Sequence, residues 1–285
     1  MQNYNIKAIC TILLIAVFSG GSSMAQSWPV DKDSLHYEIL MSSKMLDSIH
    51  FNEKFIPNLD ITSSRLILLS TRDQFYLLGW GGIVPFGKKI TGKINSYAIT
   101  PDGLLMAINN FELCAFDSLG QLSLLYKLPR EGMGISTGKN GMFIYDQNEE
   151  YQLNMLYVIA KGGKFAPLLS IATPIQSVVD MNDSILFATG NAVYSYKFEN
   201  KKLNSLIAMT EDYKIKSVTL DTSENRIYFS TKNMVFALKD SKAVLITDKF
   251  GGELRYFNNG LIVFNPEKKV LIRILGLEGT IVHNL

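Results

Sequence analysis

DTSENRIYFSTKNMVFALKD, residues 221–240, contains two short apolar runs, RIYFS and MVFAL, each next to a polar turn. Upstream, IKSVTLDT alternates apolar and polar residues as a half-buried strand does, and VLITDKF follows downstream. These segments predict four strands within about 35 residues, joined by turns short enough for antiparallel hairpins.

The same order of four apolar runs recurs along most of the chain. The further copies cover 55–94, 95–128, 134–172, 175–209 and 253–285. The second run of each copy begins at Leu66, Leu104, Met142, Ile185, Ile227 and Leu261, which are nearly evenly spaced. The turn before each start contains Gly, Asn, Asp or Ser. Gly, Asn and Asp tolerate the positive φ of tight turns, and Ser and Asp stabilise turns through side-chain hydrogen bonds.

A period of about 40 residues with four strands in each unit predicts a β-propeller. Each small sheet has two apolar faces, and stacking the sheets as blades around an axis buries both. A β-sandwich of the same hairpins should show cleaner alternation and no fixed phase. The sequence therefore predicts an all-β fold, a β-propeller of four-stranded blades, and six blades fit better than seven.

The outer strands of two copies and the segment before the blades are less defined. The first copy places its outer strand near KKITGKI, 88–94, and the last places it at TIVHNL, 280–285. In SLHYEILMSSKMLDSI, 34–49, the apolar spacing suits a short helix, and LHYEILMS also suits a strand that latches the last blade to the first. Both remain open for the N-terminal extension, residues 26–54, before a propeller of 55–285.

The N-terminus has the pattern of a secretory signal peptide. Lys7 precedes an apolar run, AICTILLIAVF, and the small residues Ser23 and Ala25 suit cleavage after Ala25. A membrane-spanning helix needs about 20 apolar residues, and this run is much shorter, so a cleaved signal, residues 1–25, fits better than an anchor. The expected location is the periplasm or the outside of a bacterial cell.

The composition of the remaining chain narrows its partners. It has 27 basic and 26 acidic residues, and the two signs are interspersed along the sequence. Nucleic acid binding would need a clustered basic face, so nucleic acid is not expected as a partner. No later run is long enough to span a membrane. Cys10 leaves with the signal, and the strand-like stretch FELCAFD predicts that Cys114 is a buried core cysteine.

Two stretches resemble blades of a known superfamily. YAITPDGLLMAI, 97–108, running into the turn from Phe116 to Gly120, resembles a blade of the six-bladed TolB-like and NHL propellers. LDTSENRIYFST, 220–231, resembles their Tyr-Trp-Thr-Asp blades, although Thr231 stands where the family has Asp. The resemblance implies the fold. Gluconolactonase-like members of the superfamily hold a divalent metal, usually calcium, through Glu, Asn and Asp side chains at the central channel. The resemblance therefore also implies an alternative function, a calcium-dependent hydrolase. The metal ligands of those members cannot be matched to residues of this sequence one by one.

Catalytic signatures are sparse in this sequence. The histidines, His36, His50 and His283, lie before the blades or in the final strand, and no Gly-x-Ser-x-Gly elbow occurs. Residues 79–82, GWGG, lack a following Lys-Ser/Thr pair and indicate an inter-strand turn rather than a phosphate loop.

The candidate binding residues lie in the loops between second and third strands, which should share one face of the propeller. They are Arg72, Asp73, Asn109, Asn110, Asp146, Glu149, Glu150, Asn191 and Asn233, with the aromatic candidates Trp80, Tyr151 and Tyr213. Polar residues in hairpin loops are commonly only solvated, so no catalytic residue is assigned, and no cofactor is expected unless calcium binds under the alternative. The leading interpretation is an exported, non-catalytic binding or scaffold propeller that recognises a protein, peptide or glycan through these loops.

Overall fold

The computed structural model describes residues 35–48, 53–79, 81–117, 120–160 and 162–277. The expected signal peptide, 1–25, and the segment 280–285 lie outside the described residues. Those described form six four-stranded antiparallel sheets and one short helix, which confirms the prediction of an all-β, six-bladed β-propeller. In this part of the chain, no helix is both long and apolar enough to cross a membrane.

The chain begins with strand β1 (His36–Met41) and helix α1 (Ser43–Ser48). The blades follow in sequence order. Blade 1 contains β2 (Asp60–Ile61), β3 (Ile67–Ser70), β4 (Phe75–Gly79) and β5 (Gly82–Phe86); blade 2 contains β6 (Ile94–Ile99), β7 (Leu105–Asn109), β8 (Glu112–Phe116) and β9 (Leu122–Lys127); blade 3 contains β10 (Met133–Gly138), β11 (Gly141–Asp146), β12 (Asn154–Ile159) and β13 (Phe165–Ile171). Blade 4 contains β14 (Ile175–Asp180), β15 (Ser184–Thr189), β16 (Ala192–Lys197) and β17 (Lys202–Ala208); blade 5 contains β18 (Ser217–Asp221), β19 (Arg226–Ser230), β20 (Val235–Lys239) and β21 (Lys242–Thr247); blade 6 contains β22 (Glu253–Phe257), β23 (Gly260–Asn265) and β24 (Val270–Leu275), with β1 as its fourth strand.

The first strand of each blade along the chain is the inner strand, because these strands contact one another from blade to blade. Neighbouring strands are antiparallel, so the ring has two distinct ends. We call the end where inner strands turn into second strands the turn face. The opposite end, where second strands lead into third strands, is the loop face.

The second strands begin within one residue of the predicted positions in all six blades. At the start of each of them, in the preceding turn or, in blade 3, at the first residue of the strand, lies a residue with positive φ, a conformation that favours Gly and Asn. These residues are Arg65, Gly103, Gly141, Asn182, Asn225 and Asn259, with φ of 62°, 88°, 136°, 75°, 53° and 56°. Arg65 is the exception in residue type, since blade 1 has two serines where the other turns have Gly or Asn.

The outer strand of blade 1 differs from the prediction. It is β5, which pairs with β4 directly after the turn between Gly79 and Gly82. The predicted segment, 88–94, is instead mainly the connection to β6, and its Ile90 amide donates to the Asp73 carbonyl at 2.8 Å. Glycine at the start of β5 and Pro85 within it weaken the strand signal in the sequence.

Blade 6 takes its outer strand from the N-terminal segment, so the prediction of TIVHNL in that position was wrong. β1 pairs antiparallel with β24, with His36 opposite Leu275 and Tyr37 opposite Ile274. The extension contains both a strand and a helix, the two structures that the sequence left open. A strand from the beginning of the described residues thereby completes a sheet from their end.

Apolar clusters between blades form the core. At the junction of blades 6 and 1, Met41 and Leu46 from the extension join buried residues of both blades. Phe55 lies between Tyr76 and Phe264, with ring centroids 6.0 and 5.7 Å away. The junction that closes the ring is therefore filled by apolar side chains from the extension and from both blades.

Cys114 is buried in β8, as predicted. Burial raises the pKa of its thiol, and the nearby Glu112 carboxylate adds to the shift. A thiol with a raised pKa forms little thiolate, which is the reactive form. Cys114 is therefore a packing residue.

Leu46→Ala tests the contribution of the extension to ring closure. The side chain is 1% exposed, and truncating a buried leucine typically costs about 2–5 kcal/mol of unfolding free energy. We expect a clearly lower midpoint in thermal and urea unfolding. Met45→Ala is the control, since the neighbouring side chain is 49% exposed and should change stability little; equal effects of the two changes would contradict the proposed packing role.

Candidate functional site

A cavity of about 590 Å³ opens on the axis at the turn face. Every blade contributes to its wall, because the ends of the inner strands and the turns that follow them surround it. The residues central to its chemistry are Asp60, Thr137, Asp180, Thr219 and Arg255, with Lys139 at the rim. Its size is that of a site for a small ligand.

Arg255 and Asp60 form the charged centre of this cavity. The Nε atom of Arg255 in blade 6 lies 3.8 Å from Oδ1 of Asp60 in blade 1. The Asp60 carboxylate also accepts hydrogen bonds from the amides of Ile61 and Ile99, both at 2.8 Å. Burial raises the pKa of Asp60, while Arg255 and the two amides oppose that shift. The pair bridges the junction at which the ring closes.

Buried serines link the inner strands around the axis. The Ser136 hydroxyl donates to the Val178 carbonyl at 2.7 Å, and the Ser177 hydroxyl accepts from the Val218 amide at 2.9 Å. Ser217 accepts from the next inner strand in the same way. Each bond satisfies buried polar groups and fixes one blade against the next.

Glu253 takes the place of serine in blade 6. The amide of Leu254 donates to Ser217 as that of Val218 donates to Ser177, so Glu253 is equivalent to Ser217. Burial raises the pKa of its carboxyl to about 7, although Arg255 and Lys216 lower it and Ser217 donates a hydrogen bond to it. A carboxyl that is partly protonated near neutral pH therefore lies among the inner strands.

The second aspartate of the cavity, Asp180, is held by the turns beside it. Its Oδ2 accepts a hydrogen bond from the backbone amide of Asn140 at 2.8 Å. Its Oδ1 accepts hydrogen bonds from the side-chain amide of Asn140 at 2.7 Å and from the backbone amide of Asn182 at 3.0 Å. These bonds connect blades 3 and 4 at the cavity mouth. Both of its oxygens are thus committed to structure.

Comparison of the structure with solved proteins places this ring among known folds. A gluconolactonase from Xanthomonas campestris superposes with a TM-score of 0.69 at 10% identity, over 90% of this chain and 97% of the other. The chain shares the fold of the gluconolactonases. A virginiamycin B lyase from Staphylococcus aureus has a TM-score of 0.58 at 14% identity over 76% and 79% of the two chains, and a chain of a nidogen–laminin complex has 0.59 at 9% over 70% and 85%.

At the level of sequence, no protein-family model and no curated protein matches the chain. At these identities, likeness in structure extends to the fold and not to the chemistry. The comparisons agree with the resemblance to TolB-like and NHL propellers seen in the blade motifs.

The donor set of the turn-face cavity does not fit a calcium ion. Calcium takes six to eight oxygen ligands, whereas the cavity wall supplies two carboxylates, Asp60 and Asp180, each of which already accepts hydrogen bonds from backbone amides. The Arg255 guanidinium also opposes a second cation beside Asp60. Within the described ranges, no group of three His, Cys, Asp or Glu side chains is placed to hold a metal.

The candidate residues predicted from sequence lie at the loop face, the opposite end from the cavity. In blades 1 and 2 several of them support the connections between blades. Asp73 forms an ion pair with Lys89 at 3.3 Å, and the Arg72 carbonyl accepts a hydrogen bond from the amide of Ile94, the first residue of β6. Asn109 accepts the Lys93 amide at 2.8 Å.

The candidates of blades 4 and 5 have similar structural contacts. The Asn191 carbonyl accepts the Met209 amide at 2.7 Å, and the Asn233 side chain accepts Lys268 of the next blade at 3.0 Å. Asn110 supplies the positive φ, 57°, of a two-residue turn. The predicted binding residues thus lie on the predicted face but do not form one cluster. Their role in binding stays a prediction.

In blade 3, Glu149 and Glu150 are exposed on the longest of these loops, whereas Asp146 is completely buried. Tyr213 packs against Phe236, with ring centroids 6.4 Å apart, and Trp80 lies outside the described residues.

Sequence reasoning missed the cavity residues. Serine recurs at 96, 177 and 217 at equivalent places in the inner strands, and that recurrence was the available signal.

Glu253→Gln tests the buried carboxyl through the pH dependence of stability. Because the pKa in the folded chain is raised from 4.5 to about 7, folding favours the protonated form. The stability from this group is full below pH 4.5 and is lost as the pH rises through 7.

Wild type should lose up to about 3 kcal/mol more unfolding free energy than Glu253→Gln between pH 4.5 and 8. Urea unfolding at a series of pH values measures the difference. Glu211→Gln, at an exposed site, is the control and should follow wild type. Parallel curves for wild type and Glu253→Gln would show that the carboxyl is solvated.

Proposed function

We propose that this protein is a non-catalytic binding propeller that holds a neutral, hydroxyl-rich ligand, a glycan fragment, in the turn-face cavity. The observation that carries the proposal is the Arg255–Asp60 pair within the cavity. As a pair it is close to neutral in total, and it presents donors and an acceptor side by side. Sugar hydroxyls both donate and accept hydrogen bonds and suit such a mixture.

Further polar groups around the pair support the same ligand class. The Thr219 oxygen accepts the Tyr256 amide at 3.1 Å, so its hydroxyl proton can be donated to a ligand. Thr137 borders the opposite side of the wall, and Lys139 is exposed at the rim. The volume of about 590 Å³ accommodates one or two sugar rings.

We also propose that the chain is exported, on the basis of the signal-like pattern in residues 1–25. Glycans of the cell envelope would then be accessible to the cavity. Detection of the mature chain in a periplasmic or culture fraction, with an N-terminus at Gln26, would support this location.

The test is binding of purified residues 26–285 to an array of neutral, acidic and basic oligosaccharides, followed by calorimetry on the strongest binders. We expect neutral sugars to bind and Arg255→Gln to weaken them by about 10-fold or more, because hydrogen bonds to a charged group are lost. Lys139→Ala at the rim should have a smaller effect. Lys249→Ala at the exposed loop face is the control and should leave affinity unchanged.

Melting curves on the same samples separate lost contacts from unfolding. A folded Arg255→Gln variant with unchanged affinity would contradict the role of the pair. Failure of every neutral sugar to bind would overturn the proposed ligand class.

The alternative, a calcium-dependent gluconolactonase-like hydrolase, is supported by the similarity in fold to the gluconolactonases. The engagement of both cavity aspartates favours binding without a metal. We expect purified protein to contain no stoichiometric divalent ion and to melt at the same temperature with and without chelator. A bound ion whose removal lowers the melting temperature would instead favour the hydrolase.

A further inference from the structure

The loop between the second and third strands of blade 3 is more elaborate than its counterparts. Residues 147–153 separate β11 from β12, a loop of seven residues, whereas two to four residues make the same connection in the other blades. Chain stability does not require the extra length, since a two-residue turn suffices in blades 2 and 4. Elaborated loops on a rigid scaffold commonly carry function.

Arg130, from the connection between blades 2 and 3, holds this loop in place. Its Nη1 atom donates to the buried Asp146 carboxylate at 2.6 Å and to the Leu153 carbonyl at 3.0 Å. The guanidinium carbon lies 4.4 Å from the ring centroid of Tyr151, in a cation–π contact. One side chain therefore fixes both the start and the end of the loop.

Asn154 and Asn148 add to the same support. The fully buried Asn154 side chain donates to the Tyr151 carbonyl at 3.2 Å and to the Ala172 carbonyl at 3.3 Å. The Asn148 side chain accepts the Glu150 amide at 3.0 Å. A loop ordered in advance loses little conformational entropy on binding, which favours affinity for a partner.

The anchored loop displays an exposed apolar side chain, and blade 2 displays another at the same face. Leu153 is 47% exposed and Phe111 is 49% exposed. The Phe111 carbonyl accepts the Leu128 amide at 2.6 Å, and Arg130 binds the Leu153 carbonyl, so the two apolar residues border the same short connection, 128–132. We call Phe111, Leu153 and the exposed carboxylates around them the loop-face patch.

Those carboxylates belong to Glu131, Glu149 and Glu150, all exposed. Arg130 does not offset them, since its charge is paired with buried Asp146. Lys127 lies opposite Glu112 in the β8–β9 register, so its nearest cross-strand neighbour carries the opposite charge. The patch thus combines two apolar side chains with three negative charges.

We propose that the loop-face patch is a docking surface for a protein segment in which basic residues alternate with large apolar ones. Its apolar residues would pack on Phe111 and Leu153, while its Lys or Arg side chains meet the three glutamates. This surface lies at the end of the ring opposite the glycan cavity. The proposal is independent of the cavity and goes beyond its ligand.

The probes are fluorescent peptides of about 12 residues, long enough to cover such a surface. In the first set Lys or Arg alternates with Leu or Phe. A second set carries Glu in place of the basic residues, and a third carries Ser in place of the apolar ones. Anisotropy titrations against residues 26–285 should show binding of the first set and weaker binding, by about 10-fold or more, of the other two.

Variants of exposed residues locate the binding. Phe111→Ser and Leu153→Ser should each weaken the first set by about 10-fold. Glu149→Gln with Glu150→Gln should weaken it at low salt, with a difference that shrinks as salt screens the charges. Leu104→Ser is the matched control, because Leu104 is 42% exposed but lies at the turn face.

Three outcomes would overturn the proposal. The first is equal binding of all three peptide sets, or none. The second is a loss of affinity in Leu104→Ser as large as in Leu153→Ser. The third is self-association in sedimentation runs that Leu153→Ser abolishes, which would make a second copy of the chain the occupant. Sugar binding in the cavity should be unaffected by any loop-face variant, so failure here is distinguishable from failure of the glycan proposal.

Discussion

Pairing between β1 and β24 is the constraint on which the ring depends. Each blade buries apolar residues on both faces, so a row of blades has an unsatisfied face at each end unless the row closes on itself. The sheet that closes it is built from both ends of the chain. The same segment then inserts Met41 and Leu46 between blades 6 and 1, and Arg255 and Asp60 face each other across that junction. Closure and the cavity are therefore parts of one arrangement.

Closure around the axis still leaves six outer strands with exposed edges, which could pair with other chains. In five blades the pairing of third and outer strands contains a register shift, as at Leu156–Tyr157 and Val193–Tyr194. Such irregularities twist the edge away from a partner strand. Blade 1 pairs without a shift, and there Pro85 removes one amide donor from the outer strand. Two different devices thus protect the same kind of edge.

The sequence revealed the second strands best because two local signals coincide there. These strands are apolar on both faces, and each follows a turn that needs positive φ, so Leu105 or Ile262 is recognisable without any knowledge of neighbours. The outer strand of blade 6 could not be found in this way, since β1 and β24 lie at opposite ends of the described chain. Blade motifs also gave the superfamily resemblance. They could not give the site, because the pairing of Asp60 with Arg255 depends on ring closure rather than on spacing.

The two faces of the ring differ in how their polar residues are used. Beside a two-residue turn, a side chain such as that of Asn109 at the end of β7 is needed to satisfy the backbone of the neighbouring connection, so a polar residue there is weak support for binding. A longer loop has side chains left over once its own backbone is satisfied, which is the situation of Glu149 and Glu150. The inner strands of blades 2 to 6 have five or six residues, so at about 3.3 Å each they separate the two ends of the ring by about 15–20 Å. A small ligand in the cavity and a protein on the loop face would therefore not overlap, so the two proposed sites are compatible in one molecule.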